Sequence, residues 1–91
     1  MAQRITIWFP PGRDNGFYFR VNNWADDTLY PAIEMKGLGV IHDLDRVRDV
    51  VRIDVHKRQS LGEVLGVVKK TLPQHFPGGE GRIVRGDTPA G

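Results

Sequence analysis

Ninety-one residues, 40% hydrophobic and 26% charged, are the composition of one ordinary globular domain. The net charge is only +2, from 13 basic and 11 acidic residues that are interspersed, so the chain lacks the concentrated patch of a polyanion binder although its pI is near 9.3. The absence of cysteine excludes disulfide scaffolds, thiolate metal sites and cysteine nucleophiles, and it fits a reducing, cytoplasmic setting.

No apolar run approaches the length of a membrane span, and the start, Met1-Ala2-Gln3-Arg4, leads into alternation rather than a signal-peptide core. From Arg4 to Phe9, residues Ile5, Ile7 and Phe9 alternate with Arg4, Thr6 and Trp8, which predicts a half-buried strand. Pro10, Pro11 and Gly12 stop it, and Asn15-Gly16 carries a turn signal. Phe17, Phe19 and Val21 then alternate with Tyr18, Arg20 and Asn22, which predicts a second strand in a hairpin with the first. Asn22 to Thr28 reads as a polar connection with Trp24 as its one large apolar residue.

Thr28 to Leu38 has two readings. As a helix, Thr28 caps it, Pro31 falls in the first turn and Gly37 is the left-handed stop before Leu38. As a strand, Leu29, Pro31, Ile33 and Met35 alternate. Residue propensity favours the helix, and the proline counts against a central strand.

The clearest unit comes next. Val40 to Leu44 and Val51 to Val55 are strands joined by the short charged run Asp45 to Asp49, a hairpin rather than a crossover. Val51, Ile53 and Val55 face opposite to Arg52, Asp54 and His56. With Val47 near the tip, Asp43 falls opposite Arg52 and His42 opposite Ile53 on the core side. Ser60-Leu61-Gly62-Glu63 matches a capping box, and Leu61, Val64, Leu65, Val68 and Leu72 form one helical stripe. Lys69 and Lys70 suit the last turn, and Pro73 is expected to end the helix. Gln74 to Gly81 reads as a loop and Arg82 to Arg85 as a short last strand. Residues 86–91 have nothing to bury and are expected to form a flexible tail.

These elements predict a single α+β domain over residues 1–85 in the order ββαββαβ, an antiparallel sheet with two helices on one face. Without its first strand, this order resembles the split β-α-β of ferredoxin-like folds.

Covering Ile5, Ile7, Phe17, Phe19, Val51, Ile53 and Val55 with helices leaves an opposite face of Trp8, Tyr18, Arg20, Asp43, Arg52, Asp54 and His56. Tryptophan, tyrosine and arginine are enriched at interfaces. The expected binding residues are therefore Trp8, Tyr18, Arg20, Arg52 and His56, with Trp24 bordering them. The expected function is a non-catalytic protein-interaction module, homodimeric or bound to a protein partner, without cofactor or metal. The competing structural reading is that the aromatics merely pack against arginine stems.

Two alternatives belong to other classes. The run Asn15 to Val21 resembles the aromatic motif with which RNA-recognition sheets stack single-stranded bases, although an asparagine stands where a basic residue is usual. Phe17 and Phe19 are also explained as core. A small enzyme would use His42 as acid or base, but His42 and Asp43 face opposite ways on a flat strand and Asp43 is expected to pair with Arg52. His75 has a packing or solvent role, Ser60 is the only serine and is committed to its cap, and Gly78 to Gly81 do not open a helix as a phosphate loop does.

Overall fold

The first strand forms where alternation places it: in a computed structural model, which describes residues 3–86, β1 spans Gln3–Trp8 with Ile5 and Ile7 fully buried. The second expected strand is a helix instead. Residues Asn15–Asn23 form α1, capped by Asp14, whose Oδ1 accepts the Phe17 N–H at 2.9 Å. Phe17 and Val21 satisfy a period of two and a helical i, i+4 spacing equally well. The tie is broken by Trp24, which continues the helical stripe and is fully buried, while Phe19 is left 68% exposed. Burying each large apolar side chain contributes roughly 1.5–3 kcal/mol. The helix-propensity penalty of an aromatic or β-branched residue is at most about 0.7 kcal/mol, so packing decides.

The expected polar connection is also helical. Trp24–Glu34 continues α1 as a π-helical segment, and Trp24 lies in the core rather than at the border of an interface. Pro31 sits inside this segment, not in a first turn capped by Thr28. Its ring would collide with the carbonyl four residues back in an α-helix, and the wider i→i+5 winding relieves that collision. The same winding shows in Met35 N–H to Tyr30 O and Leu38 N–H to Ile33 O, at 3.0 and 2.9 Å. Gly37, at φ +71°, ends the helix as expected.

β2 (Gly39–Asp45) and β3 (Val50–Val55) form the expected antiparallel hairpin, but not in the expected register. Ile41 pairs with Ile53 and His42 with Arg52, with an irregularity between His42 and Asp45. That one-residue difference moves His42 from the core side to the opposite face. The turn itself relies on aspartates: Asp45 Oδ1 accepts from Val47 and Arg48 N–H, and Asp49 takes the left-handed conformation at φ 58°.

A 3₁₀ turn at Arg58–Ser60 leads into α2, Leu61–His75. Val64, Leu65, Val68 and Leu72 are buried as the stripe requires. Two expectations fail at its ends. Ser60 makes no side-chain cap, because its backbone is already helical in the preceding turn. Pro73 does not stop α2, which runs on to His75, where Nδ1 lies 3.1 Å from Thr71 O. β4 is Arg82–Arg85. Of the tail expected over residues 86–91, all but Gly86 lies outside the described residues.

The chain therefore runs β-α-β-β-α-β, and the seven-element order is not adopted. The sheet order is β2-β3-β1-β4, every neighbouring pair antiparallel, so β1 pairs with β3 and β4 rather than with residues 17–21. β3 lies between β1 and β2, the split β-α-β arrangement. One apolar cluster joins Ile5, Ile7, Val51, Ile53 and Val55 to residues of α1, the π-helical segment and α2, which puts these three on one side of the sheet. Among the described residues, no helix is long and apolar enough to cross a membrane.

Two glycine substitutions should change stability in opposite directions. A Cβ at Gly39 would stand 2.5 Å from the Asp54 carbonyl oxygen, so Gly39→Ala should lower the melting temperature by prising β2 from β3. A Cβ at Gly66, inside α2, meets nothing within 4 Å. Gly66→Ala should add about 0.5–1 kcal/mol in denaturant titration.

Candidate functional site

The face of the sheet turned away from the helices is the candidate site, and its cross-strand rows follow from the register. One row runs Val40, Asp54, Arg4; the next His42, Arg52, Thr6, Val84; the third Val50, Trp8, Arg82. Thr6 and Val50 are buried within it. Trp8 is half-buried, and its indole Nε1–H is buried without a hydrogen-bond partner. A buried donor left unpaired costs about 1–3 kcal/mol, a cost this strand end carries within the chain itself.

Ion pairs order the charges of this face. Arg4 donates to both oxygens of Asp54, at 2.7 and 3.1 Å, a forked pair that fixes both groups. His42 Nε2 approaches the second of those oxygens at 2.7 Å. Arg52 donates to Asp45 Oδ2 at 2.7 Å, not to Asp43, because the hairpin register sets His42 opposite it. Asp54 is pulled from the usual 3.8 to about 2, first by the Arg4 hydrogen bond, against the upward push of burial and with help from His42. Burial pushes Asp45 up, but the Arg48 and Val47 N–H groups and the charges of Arg52 and Arg48 outweigh it and leave it below its ordinary value.

Of the five residues expected at the site, Trp8 and Arg52 lie on this face. Tyr18 and Arg20 do not, because they belong to α1. The Tyr18 hydroxyl donates to Asp49 Oδ1 at 2.7 Å, which raises the phenol above its ordinary value, and Arg46 lies over the ring at 4.4 Å. Arg20 stacks on Phe17 and Phe76, each at 5.6 Å. His56 lies just beyond β3, exposed, with its backbone N–H donating to Leu38 O. Asp43 is exposed at the β2 irregularity.

Several contributors escaped sequence reasoning, Val40 and Val50 among them. Arg82 and Val84 join the face because β4 pairs with β1, a long-range contact that no local pattern encodes. His42 joins because of the register. Among the described residues no group of acidic, histidine or cysteine side chains is arranged to hold a metal. No protein-family model matches the chain, and no curated protein or solved structure is significantly similar to it.

The low Asp54 value predicts acid sensitivity. Because the folded group titrates below the unfolded one, its contribution is complete above about pH 4 and is lost as pH falls toward 2. Asp54→Asn should lower the melting temperature near neutrality and flatten its fall across that acid window. Thermal melts followed by circular dichroism check this, and parallel curves for the two proteins would refute it.

Proposed function

We propose that this chain is a non-catalytic protein-binding module that engages a protein, a second copy of itself or another chain, through its open sheet face. The observation that carries the reading is Trp8, a large indole left half-buried on the open face, directly opposite Arg82 of β4. Tryptophan and arginine dominate binding energies at protein interfaces, and Arg82 stands opposite Trp8 while Arg52 lies one row away, opposite Thr6. Ion pairs already fixed in the unbound chain leave little side-chain ordering to be done on association.

Chemistry weighs against the alternatives. A base-stacking surface needs successive aromatics, and Trp8 is the sole aromatic among the described residues of the face. Asp54 and Asp45 hold Arg4 and Arg52, so carboxylates stand where a phosphate backbone would run. The run Asn15 to Val21, which resembles an RNA-binding motif, lies on α1 rather than on the sheet. His42 is held by Asp54 with its side chain 47% exposed, a solvated setting that is poor for acid–base work. The ferredoxin-like analogy adds nothing about function, since such sheets host many activities. A cytoplasmic setting rests on the cysteine-free chain.

Sedimentation velocity over a wide concentration range, with Trp8→Ala alongside, tests the reading. Self-association predicts a mass that rises with concentration and returns to monomer in the variant. A different partner predicts a steady monomer and a co-purifying protein whose affinity falls about thirtyfold, the effect of losing about 2 kcal/mol at a tryptophan anchor. A monomer at all concentrations, with no partner's affinity altered by Trp8→Ala, would overturn it.

A further inference from the structure

A groove lies at the other side of the sheet, between the C-terminal half of α2 and β4. Leu72 and Phe76 form its floor, Ile83 a wall, and Lys69, Pro73 and Pro77 its rim, around a cavity of about 280 Å³. Small-molecule pockets run to roughly 300–1,000 Å³, so this space suits inserted apolar side chains better than a drug-sized ligand. Gly81 shapes it: a Cβ there would stand 2.8 Å from the Leu72 methyls, so a larger residue would push that side chain into the groove.

The groove runs beside an unpaired backbone. Among the described residues, β4 is the outermost strand and pairs with β1 alone. Gly86 N–H donates to Arg4 O at 2.8 Å, which sets the alternation of the ladder. Arg82 and Val84 turn their backbone groups toward β1, while Ile83 and Arg85 turn theirs outward. Ile83 thus lines the groove with its side chain and offers N–H and C=O at the edge. The opposite edge is guarded: the outward N–H of Ile41 on β2 is taken by Glu34 Oε1 at 2.9 Å.

Charge selects the occupant. Lys69, Arg82 and Arg85 are exposed around the groove and edge. The neighbouring carboxylate, Glu80, folds against Gly78 with Oε1 buried. Pairing β4 with a second copy of itself would bring Arg82 and Arg85 of both chains to one seam with no carboxylate on either strand, which is repulsive. An acidic strand meets the opposite situation.

We propose that the free edge of β4 and the α2–β4 groove dock an extended acidic segment of a partner protein, which adds as a strand to β4 and inserts apolar side chains between Leu72 and Ile83. Backbone pairing supplies the affinity and the groove and arginines the selectivity, as in other strand additions. This site borders the open face at Arg82, but its groove and backbone edge lie on the helix side and rim of the sheet and do not depend on Trp8.

Panning a random peptide library displayed on phage against the immobilised full chain tests the assignment. The enriched peptides should combine apolar residues for the groove with acidic residues for Lys69, Arg82 and Arg85. The strongest, synthesised with a fluorescent label, should lose about tenfold in affinity to the double variant Lys69→Glu, Arg85→Glu, whose exposed positions leave the fold intact by circular dichroism. In amide NMR spectra of the full chain, that peptide should shift Leu72, Ile83, Val84 and Arg85. Failure to enrich any peptide, enrichment of basic or neutral ones, or indifference to the double variant would overturn the proposal. Shifts confined to β2 and β3 would also overturn it, while favouring the open face.

Discussion

Phe9, one residue past β1, is where the architecture is tied together. Its ring meets Phe17 of α1 at 5.7 Å, Trp24 of the π-helical segment at 6.1 Å and Phe76 at the end of α2 at 5.2 Å. Phe17 and Trp24 each meet Phe76 as well, at 5.5 and 5.8 Å. Tilted and edge-on contacts at these separations add to the burial of large rings. The Trp24 indole N–H donates to Thr71 of α2 at 2.9 Å, so the one polar atom of the cluster is satisfied. Because one strand end gathers α1, the π-helical segment and α2, all three lie on the same side of the sheet. The exposure of the other side follows from that.

Phe76 also links the core to the surface. It belongs to the aromatic cluster and is the floor of the groove beside β4, so the end of α2 is held while the space next to it stays open. The chain turns back through Pro77 and the glycines at 78, 79 and 81 before entering β4. Two surfaces result from one packing decision. The open face carries Trp8 among paired charges, and the β4 edge carries backbone groups among cations.

Charge on the open face is organised rather than merely displayed. Asp54 is shared by Arg4 from β1 and His42 from β2, so a carboxylate on the middle strand ties together both of its neighbours. Asp45 performs two tasks at once, accepting from turn amides with one oxygen and from Arg52 with the other. Such pairs contribute modestly to stability where solvent reaches them. Their larger effect is to fix which charges a partner would meet.

Local periodicity in the sequence determined β1, the β2–β3 hairpin, the apolar stripe of α2 and the short β4, because each of those segments satisfies only one repeat. It also determined that Trp8 and Arg52 point away from Ile7 and Val51. Residues 17–21 satisfied two repeats at once, and only the distant demand to bury Trp24 against Phe9 and Phe76 made them a helix, carrying Tyr18 and Arg20 away from the sheet. The hairpin register was settled by the aspartate turn and the irregularity after His42, where a single step reverses the facing of every side chain. The place of β4 beside β1, which brings Arg82 to the face and leaves a free edge, joins residues far apart in the chain. That choice belongs to tertiary packing, since no local pattern specifies which distant strand will complete a ladder.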